Sequence, residues 1–367
     1  MKKRKNRQKF LSGIIIFFTL IIIGCVLYII WQQKPETTYD KYLIEAREKI
    51  NQYNIVDQIN SNPYSQTLEK MLVSDKYKSE YIKDYFLIVY REDVDFLDHV
   101  NKLLVLGYDQ ETINNLGANY DYDTIKFIVN QDDKIDLNYF EIANFIFANY
   151  SRYENYLINN SLELGTIVTY VNIGLDYEFY SQYELITVPD NVNVLVNKYH
   201  QLSKDFIPND LVRLYNGKYI KAVAKEPLMD LINAAKEQGI HLEPRSVYRS
   251  FAYQTENYNN YVRRDGKTKA DTFSARAGFS EHQTGLTADL ADASGVFITS
   301  SSEEYNWLKD NASKYGFIIR YQLGKETITG YKFEPWHIRY IGVKHAQKLH
   351  ELNITYDEYY DLFIRED

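Results

Sequence analysis

The chain has 367 residues, 45% hydrophobic and 25% charged, a globular composition long enough for more than one core, which excludes a disordered, collagen-like or miniature protein. Its net charge is −8, yet residues 1–31 hold six Lys/Arg and no Asp or Glu, leaving 36 basic against 50 acidic side chains, a net −14, over residues 32–367. So acidic a body repels phosphate backbones and excludes nucleic acid as a partner, while the single cysteine, Cys25, excludes an internal disulfide and a cysteine–zinc site, leaving His and carboxylate to hold any metal.

In chain order, residues 1–9 form a basic tail with Lys2, Lys3, Arg4, Lys5, Arg7 and Lys9. An uncharged run of 22 residues follows from Phe10 to Trp31. As a helix it rises about 33 Å, enough to span a bilayer and longer than most signal-peptide cores. With six positive charges before the span and only Lys34 just after it, the tail is expected in the cytoplasm and the rest outside. A competing reading takes Ile22-Ile23-Gly24-Cys25 as a lipoprotein processing site, although Val26–Trp31 continues the apolar run beyond Cys25. Both readings tether the body. Residues 32–41, with Pro35, read as a linker.

Residues 42–186 carry apolar side chains at three- and four-residue spacing, as in Tyr81-Ile82, Tyr85-Phe86-Leu87 and Val89-Tyr90, which predicts stacked short helices in an all-α region. It contains no catalytic constellation. The chain's 35 tyrosines read mainly as packing residues. Val188-Pro189-Asp190-Asn191 marks a boundary, and residues 187–367 then alternate helices and strands as one α+β domain. Pro227 is expected to open a helix that Gly239 ends, with Leu228, Leu231, Ile232 and Ala235 as its buried stripe. A strand is expected over Ile240–Arg249, a helix over Phe251–Arg264, and a second helix from a Ser301/Glu304 capping box to Gly316, before the strand Phe317–Tyr321. A Thr355/Glu358 box begins the last helix.

Two segments concentrate ligand-type residues beside backbone punctuation: Ser280–Leu290 (SEHQTGLTADL) and Tyr331–Tyr340 (YKFEPWHIRY). Gly285 permits a sharp turn after His282, and Thr287, Asp289 and Ala291 share one face of a strand, so Asp289 can return toward His282. Pro335 forbids a regular helix, so Glu334 and His337 can point at one spot. His282, Asp289 and His337 make the donor set of a catalytic zinc, leaving Glu334 as a base, and Arg249 is the candidate partner of an oxyanion or carboxylate. Asp292 is an alternative to Asp289, and Arg249 reads equally as a structural ion-pair partner. Glu281 reads as a solvated side chain, the polar stretch Arg263–Lys269 as a surface turn or a loop beside the cleft, and His99, His200, His241, His345 and His350 as ordinary core or surface histidines.

The stretch Ser280–Asp289, together with Glu334-Pro335-Trp336-His337-Ile338-Arg339-Tyr340, resembles the signature of the VanY-type D-alanyl-D-alanine carboxypeptidases, zinc peptidases that trim peptidoglycan stem peptides. Leu195-Val196-Asn197-Lys198, Tyr248-Arg249-Ser250 with Gln254, and Gly330-Tyr331 extend the likeness over roughly residues 190–345, while Thr287 and Ala277 stand where Ala and Pro are usual. The resemblance implies a hedgehog-like α+β fold with a small antiparallel sheet. It also implies Zn2+ on His282, Asp289 and His337, Glu334 as base, Arg249 on the substrate, and Gln254, Ser280 and Trp336 nearby. The expected activity is removal of the terminal D-alanine from stem peptides outside the cell by a membrane-tethered monomer, with residues 42–186 as a spacer or wall-contacting region. Two alternatives are L,D-carboxypeptidase activity on tetrapeptide stems and a non-catalytic wall-binding module with structural zinc.

Overall fold

Apolar side chains on one face of a short sheet, facing the stripe of a single long helix, organise the half of the chain that carries the ligand-type residues. The computed structural model describes residues 2–32 and 35–365. Lys34 and the side chains of the basic tail lie outside the described residues. The chain forms two compact units, Met1–Asp136 and Leu137–Asp367.

The first unit opens with the helix Lys2–Gln32, whose stretch Gly13–Gln32 has a mean hydropathy of 3.0 and is long and apolar enough to cross a membrane. Short helices follow, among them Ile44–Gln52, Gln66–Val73, Phe96–Val105, Gln110–Asn119 and Tyr122–Val129. Side-chain oxygens of Ser65, Asp109 and Asp121 accept from the backbone N–H three residues on, which starts three of these helices. Buried Tyr42, Tyr85 and Tyr108 sit among the apolar residues of this unit, so these tyrosines pack the core.

The second unit begins with the helices Tyr150–Asn159 and Leu164–Asn172, packed around Tyr139, Tyr153, Ile167, Val168 and Val171. Asn144 donates to Asp361 at 2.6 Å and so joins this region to the last helix, Tyr356–Phe363. Two short ribbons follow: β1 (Glu184–Leu185) pairs with β2 (His200–Gln201), and β3 (Leu211–Arg213) with β4 (Tyr219–Lys221). The main sheet contains β5 (Glu243–Ser246), β6 (Thr287–Ala291), β7 (Phe317–Ile319) and β8 (His337–Tyr340), in the antiparallel order β5-β6-β8-β7. Period-two alternation sends Ala288 and Leu290 of β6 and Ile338 and Tyr340 of β8 into a core with Leu228, Leu231 and Ala235. Burying each such leucine contributes about 1.5–3 kcal/mol. The same alternation leaves Asp289 and His337 together on the opposite face, as direct partners in the register.

The expected α+β class with a small antiparallel sheet is observed, and several element boundaries are corrected. The helix around Pro227 runs Ala222–Glu237, because the chain enters it directly from β4 and buries Ala224 a turn earlier. Pro227 is tolerated inside it at the loss of one backbone hydrogen bond. The strand expected over Ile240–Arg249 is confined to Glu243–Ser246, since the pairing register with β6 shifts between Pro244 and Ser246. Ser302, not Ser301, caps the helix Glu303–Asn311, accepting from Tyr305 N–H, and β7 ends at Ile319. Arg263 and Arg264 belong to the helix Phe251–Asp265, and Lys267–Ala270 forms a further turn of helix after Gly266, so this stretch is not a loop.

Candidate metal centre and active-site cleft

Gly285 sets the first half of the site. It follows the turn Glu281–Thr284 at φ +70°, and a Cβ there would lie 2.8 Å from Leu211 Cδ2 and 3.2 Å from Lys221 N, so only glycine lets the chain swing from His282 into β6. Asp289 then reaches back, its Oδ2 standing 3.1 Å from His282 Nε2. Across the β6–β8 pair, Asp289 Oδ1 lies 3.1 Å from His337 Nδ1. Leaving its turn at Pro335, the second segment enters β8 at His337, with Glu334 Oε2 3.5 Å from the same Nδ1. Asp292, the alternative carboxylate, instead accepts from the Ser294 and Val296 N–H groups of its own turn.

The three side chains fit a metal. One donor atom from each lies within 4.8 Å of the others, and all three residues are buried. The two 3.1 Å approaches end on different oxygens of Asp289, Oδ2 toward His282 and Oδ1 toward His337, so both imidazoles face the one carboxylate. His282 Nε2 and Asp289 Oδ1 are buried and, despite these 3.1 Å approaches, are not aligned for a hydrogen bond. The opposite ring nitrogens are occupied: His282 Nδ1 pairs with the Val247 carbonyl at 2.6 Å, and His337 Nε2 with Glu281 Oε2 at 3.3 Å. Each imidazole therefore turns its other nitrogen toward Asp289, the outer-shell pattern of histidine ligands.

The electrostatics agree. Burial lowers the His282 imidazole to about 4, with Arg249 adding to the effect, so this ring is neutral and can ligate. Burial also opposes charge on His337, but the Asp289 and Glu281 carboxylates outweigh it and lift the imidazole to about 9. That proton is what a divalent cation replaces. Despite burial, the two histidines hold Asp289 well below the usual carboxylate range. Burial pushes Glu334 up to about 8, with Asp289 adding and His337 and Arg249 opposing.

Around these groups opens a cleft of about 610 Å³ whose lining includes Arg249, Gln254, Ser280, Glu334, Trp336 and His337. Arg249 follows β5, its N–H donating to the His282 carbonyl at 3.1 Å, and its buried Nε has no hydrogen-bond partner. Gln254 donates to the Ala275 carbonyl and leaves Oε1 unpartnered. Every site residue expected from the sequence thus lines one cavity.

Glu281 corrects the sequence reading. It is fully buried, not solvated, because Arg320 and Arg339 converge on its Oε1 and overcome the cost of burial, holding its carboxyl well below the usual range. Arg320, which follows the apolar run Phe317-Ile318-Ile319, is itself buried and bridges Glu281 to Asp357, a pairing that no local sequence pattern marks.

The family model described as VanY, D-alanyl-D-alanine carboxypeptidase, matches residues 217–343. The putative carboxypeptidase YodJ of Bacillus subtilis is 39% identical over 191 residues, 48% of this chain and 70% of the relative. The chain belongs to the VanY family of D-alanyl-D-alanine carboxypeptidases. A D-alanyl-D-alanine carboxypeptidase of Enterococcus faecalis is 34% identical over 175 residues, 45% of this chain and 64% of that protein. Among solved structures, the LdcB LD-carboxypeptidase is 38% identical and covers 49% of this chain and 90% of its own, with a TM-score of 0.46. The VanY match takes in His282, Asp289, Glu334 and His337 and stops before the last helix.

Proposed function

We propose that the chain is a membrane-tethered zinc D,D-carboxypeptidase that removes the terminal D-alanine from peptidoglycan stem peptides, with His282, Asp289 and His337 holding the metal. The observation that carries this reading is the convergence of three donor atoms within 4.8 Å beside the Glu334 carboxylate in an open cleft.

Zinc, when bound, supplies Lewis acidity that polarises a carbonyl and makes water acidic enough to lose a proton near neutral pH. Glu334 takes that proton on its carboxylate, and its raised proton affinity suits it to hold the proton and return it to the departing amine. Arg249 offers a planar guanidinium with an unpartnered Nε to the terminal carboxylate or the developing oxyanion. Gln254, Ser280 and Trp336 line the path of the peptide. The apolar helix Gly13–Gln32 holds the acidic body beside a wall that would otherwise repel it, with the basic tail inside and residues 35–365 outside.

The test is to incubate the purified protein with pentapeptide and tetrapeptide stems and weigh the products. Loss of one alanine from the pentapeptide is expected; loss from the tetrapeptide alone would overturn D,D in favour of L,D specificity.

A further inference from the structure

A line of buried ion pairs runs from His337 to the last helix. His337 Nε2 meets Glu281 Oε2 at 3.3 Å, and Glu281 Oε1 accepts from Arg320 Nε at 2.8 Å and from Arg339 Nη1 at 3.2 Å. Arg320 then donates to both oxygens of Asp357, at 2.7 Å to Oδ2 and 3.3 Å to Oδ1. Asp357 is the second residue of the helix Tyr356–Phe363, and its Oδ1 also accepts from Asn197 Nδ2 at 2.7 Å. All of these side chains are buried.

Such a chain is a costly way to gain stability, because taking each ion out of water costs several kcal/mol and well-packed apolar residues of similar volume often do as well. What it gives instead is direction. For Nδ1 of His337 to ligate a metal, the ring's remaining proton must sit on Nε2, and Glu281 Oε2, 3.3 Å away, is the acceptor that holds it there. The other oxygen of the Glu281 carboxylate is clamped by two guanidinium groups, which fixes the direction of Oε2. Arg339 is anchored independently by the carbonyls of Val192 and Val194, each at 2.9 Å. Arg320 is anchored by Asp357.

We infer that Asp357, acting through Arg320 and Glu281, is a positioning residue for His337. The last helix is therefore part of the metal centre, although it lies beyond the family-matched residues 217–343. This inference rests on the reading of His282, Asp289 and His337 as metal ligands.

The test measures zinc affinity, not activity, on the full chain in detergent micelles, by competition with a chromophoric chelator. Glu281→Gln is expected to weaken zinc binding by about 10–100-fold, the usual cost of losing a partner of a histidine ligand. Asp357→Asn is expected to weaken it by about tenfold, and the double variant by no more than Glu281→Gln alone, because the two residues act in series. Thr355→Ala is the contrast: it removes the cap that accepts from Glu358 N–H, lowers the melting temperature, and leaves zinc affinity unchanged. Asp357→Glu keeps the charge on a longer arm and is expected to fall between wild type and the amide; it carries the test if the amide does not fold. Wild-type zinc affinity in folded Asp357 variants, multiplying effects in the double variant, or an equal loss in Thr355→Ala would each overturn the inference. A wild-type chain that binds no zinc would overturn the metal reading beneath it.

Discussion

Asp289 of β6 and His337 of β8 are direct partners in the antiparallel register, and their side chains meet at 3.1 Å on the face of the sheet that the apolar core does not use. A one-residue slip in that pairing would turn one of them into the core. The site is thus as well determined as the sheet itself.

Zinc should stabilise the protein. At a free concentration a hundredfold above its Kd, a ligand that binds only the folded state adds about 2.7 kcal/mol. Chelation should lower the denaturation midpoint accordingly, and His337→Ala should abolish both the metal content, read by elemental analysis, and the response to chelator.

Glu334→Gln separates catalysis from binding. Because this carboxylate stands beside the donor set and is not one of the three donors, the variant should retain zinc while D-alanine release falls by about 10²–10⁴-fold. An unchanged rate would favour a module that uses zinc only for folding.

Arg249→Lys keeps the charge and loses the planar fork. With a charged hydrogen bond worth about 1.5–3 kcal/mol, kcat/KM for a D-Ala-D-Ala peptide should fall about ten- to hundredfold with zinc affinity unchanged.

Gly285→Ala should destabilise the second unit by about 1–3 kcal/mol, read by denaturant unfolding, since it places a side chain at positive φ and presses a Cβ onto Leu211 and Lys221. Gly239→Ala, also at positive φ but with nothing within 4 Å, should cost less.

Lys198 sets a pH dependence away from the metal. Its Nζ donates to the carbonyls of Asp271 and Gly330 among the rings of Phe179, Tyr180 and Tyr331. Burial lowers it to about 8 from 10.5, with Arg276 adding and Asp271 opposing. Between these values the unfolded chain binds the extra proton, so this group makes stability rise with pH from about 8 and adds nothing further above 10.5. Urea unfolding of wild type and Lys198→Met across that range should differ by this slope.

Local rules read from the sequence survive where the chemistry is local. The Thr355/Glu358 capping box forms with both of its hydrogen bonds, and Gly285 turns the chain as its neighbours demand. Ser301 yields the cap to Ser302, since two adjacent serines offer the same oxygen and only the incoming chain direction chooses between them. The segments that bear His282, Asp289 and His337 stand out because they sit beside Gly285 and Pro335 and carry the VanY-like signature, and the fold brings the three side chains together.

From the amino-acid order alone follow the apolar span, the acidic body and the α+β alternation, because each depends on residue type and on spacings of a few positions, whereas the grouping of His282, Asp289 and His337 across some fifty positions rests on the family resemblance of their two segments. The fold alone decided that Glu281 would be buried and paired, that Arg320 would bridge it to Asp357, and that the helix around Asp357 would be linked through them to His337. Those partners are separated by 37 to 56 positions, and whether a charge is solvated or clamped depends on what folding packs against it, which no local pattern records.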